Sequence, residues 1–105
     1  MRATSRLYQA CRITLFTRQN CQLCSQARTV LSVVWDTRPF ALKEIDIMKP
    51  ENKGWKMYEF DVPVIHISKA QAPEEDPVRS SNAAKLMHRF APEEVHAKMD
   101  SVEKT

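Results

Sequence analysis

The sequence predicts an α/β domain: a four-stranded mixed sheet flanked by helices, in the order β-α-β-α-β-β-α. Three observations lead there. An apolar, β-branched run over 12–17 gives way to apolar positions at helical spacing from Leu23 onward. A second compact apolar run, 62–67, begins at a proline. The chain then closes on a stretch with Pro92, Glu93 and Glu94 where a helix would start.

Each element has its own reason. Arg12, Ile13, Thr14, Leu15, Phe16 and Thr17 form the first strand, which stops at the polar cluster Thr17 to Asn20. Leu23, Ala27, Val30, Leu31 and Val34 then share one helical face, and the helix of about three to four turns ends before Pro39. Phe40 to Ile47 alternates loosely and reads as a second strand. Pro50 opens a short or interrupted helix that runs to Phe60 and contains the only glycine, Gly54. Val62 to Ile67 is the third, buried strand. Residues 69–82 are polar and aperiodic and read as a mobile loop. Lys85 to Phe90 alternates and reads as the fourth strand, paired with the third as a hairpin across the loop. Ala91 to Val102 is the closing helix, with Val95, Met99 and Val102 as its apolar face.

At 105 residues the chain has room for one core and not two. Hydrophobic residues make up 43% and charged residues 28%, and no run nears the ~18 apolar residues of a membrane span, so a soluble protein with no membrane partner is expected. The net charge of +3 is laid out unevenly, with Arg2, Arg6, Arg12, Arg18 and Arg28 but no acid in residues 1–35. Residues 1–11 read as a basic tail, either solvated or a targeting segment, ahead of a domain over 12–105; mitochondrion and cytoplasm are the compartments compatible with this. The excess of bases is small and not interleaved with aromatics, which argues against nucleic acid.

Three cysteines without a secretory leader pattern fit reduced or redox-cycling thiols better than a structural disulfide framework. Cys21-Gln22-Leu23-Cys24 is a CxxC at the point where a strand gives way to a helix. A thiol at a helix N-terminus meets unpaired N–H groups and the positive end of the dipole, which favour the thiolate. Cys21 is therefore the candidate nucleophile. Cys24, on the same helix face and deeper, suits the resolving thiol. Arg18, three residues before Cys21, is placed to stabilise the thiolate or to attract an anionic thiol. Zinc would need two more ligands at sensible spacing, and Cys11, His66, His88 and His96 are scattered singly, so no metal site is expected. Trp35, Trp55, Tyr58 and Phe60 read as core aromatics, His66 and His88 as satisfied strand histidines, and Cys11 as a spectator thiol with glutathionylation as the alternative.

The stretch Ile13 to Cys24, followed about forty residues later by Asp61-Val62-Pro63-Val64-Ile65, resembles the glutaredoxin-like branch of the thioredoxin superfamily. The resemblance covers nearly the whole chain. It implies a thioredoxin-like fold, Cys21 and Cys24 as a catalytic dithiol, and Pro63 as a cis-proline packed opposite them. It further implies that the backbone of Val62 pairs with an incoming thiol peptide, that Arg18 takes the place of a lysine, and that glutathione is a co-substrate with no tightly bound cofactor. Partners would be protein disulfides or glutathione mixed disulfides, met by a monomer. The chain departs from the family pattern at Gln22 and Leu23, at Asp61, and at Phe90-Ala91-Pro92-Glu93, where glutaredoxins carry a glycine pair and an aspartate. The glycine pair lets backbone amides grip the γ-glutamyl end of glutathione, so its absence argues against high-affinity glutathione use. Two other functions suit the same fold: a redox-silent interaction module, and glutathione-assisted iron-sulfur cluster binding through Cys21.

Overall fold

The computed structural model describes residues 9–105; the proposed targeting segment falls mainly on residues 1–8 and to that extent lies outside the described residues. Strand β1 (Cys11–Thr17) leads into α1 (Gln22–Thr37), β2 (Ala41–Asp46), a 3₁₀ segment (Pro50–Tyr58), β3 (Val64–Lys69), a short 3₁₀ turn (Pro77–Asn82), β4 (Ala84–Met87) and α2 (Pro92–Lys104). The sheet runs β2-β1-β3-β4. β1 pairs with β2 in parallel, as the helical crossover demands, and with β3 antiparallel; β3 and β4 are antiparallel as well. This is the predicted mixed α/β sheet.

Being central, β1 is buried along its whole length, so its two faces feed two cores. Ile13, Leu15, Ile65 and Ile67 meet Leu31 and Val34 of α1 and Val95 and Met99 of α2. Phe16 and Val64, on the opposite face, meet Cys24, Trp55, Tyr58 and Val62. Burial of Cys24, Ala27, Leu31 and Val34 at helical spacing holds α1 down, and the helix ends as Arg38 donates to Val34 just before Pro39.

Several boundaries move, each for a local reason. β1 begins at Cys11, so Cys11 belongs to the strand and not to the tail. Arg12, in the strand as expected, is a buried charge, only 7% exposed. The expected fourth strand stops at Met87, because His88 adopts a left-handed φ of 64° that breaks the pleat. β3 starts at Val64, after the proline. The loop at 69–82 is neither featureless nor loose. Arg12 donates to the carbonyls of Ala72 and Pro73, each at 2.9 Å, and Asp76 caps the 3₁₀ turn through the Val78 N–H at 2.9 Å. A side chain 60 residues earlier ties this strap down, and no local pattern could announce it.

Candidate active site

The site lies where β1 ends. Cys21 is the N-cap of α1, in extended geometry, and its Sγ accepts the N–H of Cys24 at 3.1 Å. The first turn of the helix carries no acid, so nothing competes there for the positive end of the dipole. Cys21 and Cys24 are joined as a disulfide with Cα atoms 5.2 Å apart. Cys21 is half-buried and Cys24 is 0% exposed. That asymmetry separates a sulfur that a substrate can reach from one that it cannot.

Below the pair lies the aromatic core of the second face. Phe16, Trp55, Tyr58, Val62 and Val64 surround Cys24, with Cys21 packed against them. Phe16 meets Trp55 with ring centroids 4.4 Å apart and Tyr58 at 5.3 Å. The Val62–Pro63 peptide bond is cis. The Pro63 carbonyl accepts the His88 N–H at 2.7 Å, and the Val62 N–H donates to the Tyr58 carbonyl at 3.1 Å. The N–H among the Val62 backbone groups expected to pair with a substrate is engaged within the chain, because the chain leaving the 3₁₀ segment folds the amides of Asp61 and Val62 back onto one carbonyl.

Arg18, Gln19, Asn20, Gln22, Ser25 and Arg28 line an open groove of about 540 Å³ that includes Cys21. Arg18 donates to the Glu59 carbonyl at 3.0 Å, which ties the groove to the end of the 3₁₀ segment. Arg28 is held by Glu44 through two hydrogen bonds of 3.1 and 2.6 Å, and this pairing keeps the Glu44 carboxyl below its ordinary range. Its charge is thereby spent within the chain. Asp61 lies 3.9 Å from His88. Phe60, expected in the core, is 85% exposed, while Trp55 and Tyr58 are buried as expected.

Cys11 is buried at the far end of β1, and burial pushes its thiol up to about 11, with the neighbouring Glu103 adding to the effect. Burial and the raised titration both disfavour its thiolate, in keeping with a spectator thiol. Among the described residues, no three His, Cys, Asp or Glu side chains gather to hold a metal ion, and no helix is long and apolar enough to cross a membrane.

One group escaped the sequence reading. Tyr58, His66, Glu75 and Arg12 join in a buried file of hydrogen bonds on the second face. The available signal was a polar residue in each of two strands that pattern otherwise makes apolar, Arg12 and His66; Glu75 gave none.

The fold has many solved counterparts. A structural-genomics target protein from X. campestris is 24% identical, with a TM-score of 0.58 over 85% of this chain and 96% of that one. A mutant thioredoxin from Halobacterium salinarum is 13% identical, with a TM-score of 0.62 over 92% of this chain and 78% of its own. Oxidised thioredoxin O2 from Arabidopsis thaliana is 14% identical, with a TM-score of 0.59 over 90% and 76%. At these identities the likeness speaks for the thioredoxin fold alone. A sequence-family model described as the Glutaredoxin-like domain (DUF836) matches residues 12–100, nearly the whole folded part, and with Cys21 and Cys24 bonded at its helix N-terminus the chain belongs to that glutaredoxin-like family of the thioredoxin superfamily.

Proposed function

We propose that this protein is a thiol-disulfide oxidoreductase in which Cys21 is the nucleophile and Cys24 the resolving thiol. The observation that carries the reading is the asymmetric pair: a reachable sulfur capping α1 and a buried partner close enough to bond it. In the reduced protein, the Cys21 thiolate attacks one sulfur of a substrate disulfide, forming a mixed disulfide and releasing one substrate thiolate. The Cys24 thiolate then attacks Sγ of Cys21, which restores the Cys21–Cys24 disulfide and releases the second substrate thiolate. Two electrons pass from the protein dithiol to the substrate, and an external thiol must return them.

Glutathione is the proposed reductant, two molecules supplying the electrons as they join in a disulfide. Its grip here would rest on Arg18, Val62 and Pro63. Where glutaredoxins offer free amides before the last helix, Ala91 already donates to the Glu94 carboxylate at 2.9 Å. Low affinity for glutathione is therefore expected.

The test is the alkylation rate of Cys21 against pH in the reduced protein, with Cys24→Ser beside the wild type. A midpoint clearly below the ~8.5 of a free thiol marks an activated nucleophile. A midpoint at or above that value overturns the enzyme reading and leaves an interaction module.

A further inference from the structure

Thiol exchange at Cys21 and Cys24 makes no direct use of the buried file on the second face. Arg12 donates to Glu75 Oε2 at 2.9 Å, and Glu75 Oε1 lies 2.8 Å from His66 Nδ1. His66 Nε2 is 2.7 Å from the Tyr58 hydroxyl, which also accepts from Lys85 Nζ at 3.3 Å. One tautomer satisfies every member: Nδ1–H donates to the ionised carboxylate, and Nε2 accepts the phenol proton. The His66 hydrogen bond holds the Glu75 carboxyl below its ordinary range. His66 is 0% exposed and Tyr58 5%.

Burying ionised groups costs free energy that well-packed apolar side chains would not, so the file is a poor device for stability alone. What it adds is fixity, and it adds it at the redox site. The Tyr58 carbonyl accepts the N–H of Asp61 at 2.8 Å and of Val62 at 3.1 Å, the two residues ahead of Pro63. The Tyr58 ring packs in the cluster that holds Cys24 and Val62 and supports Cys21. Tyr58 is a strut: its hydroxyl is moored to the sheet and the strap, and its backbone to the turn facing the disulfide.

We propose that Tyr58, His66 and Glu75 are positioning residues for thiol exchange, holding the Asp61–Val62–Pro63 turn in register with the Cys21–Cys24 pair. The inference rests on the exchange activity proposed above, and the experiment separates the two.

Reduced full-length protein is mixed with bis(2-hydroxyethyl) disulfide, a small uncharged probe, and its single-turnover oxidation is followed for wild type, Tyr58→Phe, Glu75→Gln and the double variant. Thr14→Val is the control: its buried Oγ1 has no hydrogen-bond partner, and its Cα pairs with that of His66. Each single variant is expected to slow oxidation about tenfold, as misplacement of reacting groups does. The double variant should be no slower than either single one, because both break one file. Thr14→Val should react like wild type. Variants that lose resistance to urea but react within about twofold of wild type, or whose effects multiply, overturn the proposal and leave the file a purely structural element. Tyr58→Phe, which keeps the ring and the carbonyl, decides the matter if Glu75→Gln does not fold. If the wild type itself fails to react, the exchange reading falls. The reduction potential of the pair against a dithiothreitol buffer then decides the positioning role: a shift in Tyr58→Phe but not in Thr14→Val supports it, and no shift refutes it.

Discussion

The two faces of the sheet are built on different principles. One is apolar: Ile13, Leu15, Ile65 and Ile67 lie under α1 and α2 against aliphatic partners and the rings of Phe40 and Phe90. The other buries Arg12, Thr14 and His66 beside Phe16 and Val64, beneath a 3₁₀ segment and a strap. Apolar packing is non-directional and tolerates small shifts, whereas hydrogen bonds at 2.7 to 2.9 Å fix a geometry. The directional face is also the one that borders Cys21 and Cys24. Stability and precision are divided between the two.

The sharpest test of that division is Ile65→Ala on the apolar face. It should cost about 2 to 5 kcal/mol by denaturant titration, as a cavity in an aliphatic core does, while the alkylation profile of Cys21 in the folded protein stays where it was. A moved profile would show that the faces are coupled. On the other face, Glu75→Gln should cost about 2 kcal/mol, at the lower end for a buried pair because Glu75 keeps some contact with solvent. That cost depends on pH with a definite sign. The folded carboxyl is lowered by His66 and Arg12, so its contribution is present above the ordinary glutamate range and is lost as pH falls through the lower folded value. Acid unfolding of wild type should therefore steepen below the ordinary range, and that part of the slope should vanish in Glu75→Gln.

Two smaller effects sharpen the comparison at the groove. Arg18→Ala should raise the midpoint of Cys21 alkylation by less than about one pH unit, because its guanidinium borders the groove but is partly solvated. Arg28→Ala removes a pair whose side chains are 46% and 39% exposed, and should cost about 0.5 kcal/mol in thermal unfolding without moving that midpoint. A larger shift from Arg28 than from Arg18 would reverse their roles.

Local rules made much of this legible in the sequence. Compact β-branched apolar runs placed β1 and β3 and period-3.6 apolar patterning placed α1 and α2 within a few residues, and a CxxC at a strand-to-helix junction marked Cys21 and Cys24. Both signals are short-range, since they depend on which face a residue presents and on what an unpaired helix terminus does to a thiol. Phe60 misled for the same reason: aromatic character says that a residue can be buried, and not that a neighbour is there to bury it.

By itself, then, the sequence determined the order of elements and the CxxC pair at the start of α1. Tertiary structure alone decided that Arg12 is a buried anchor for the strap, that the 69–82 stretch is tied down, that the Val62 N–H is engaged within the chain, and that Tyr58, His66 and Glu75 form one file. Each of these is a partnership between side chains or amides brought together by the register of β1 against β3 and the closure of the strap. No residue's own chemistry names its partner across 60 positions; packing does.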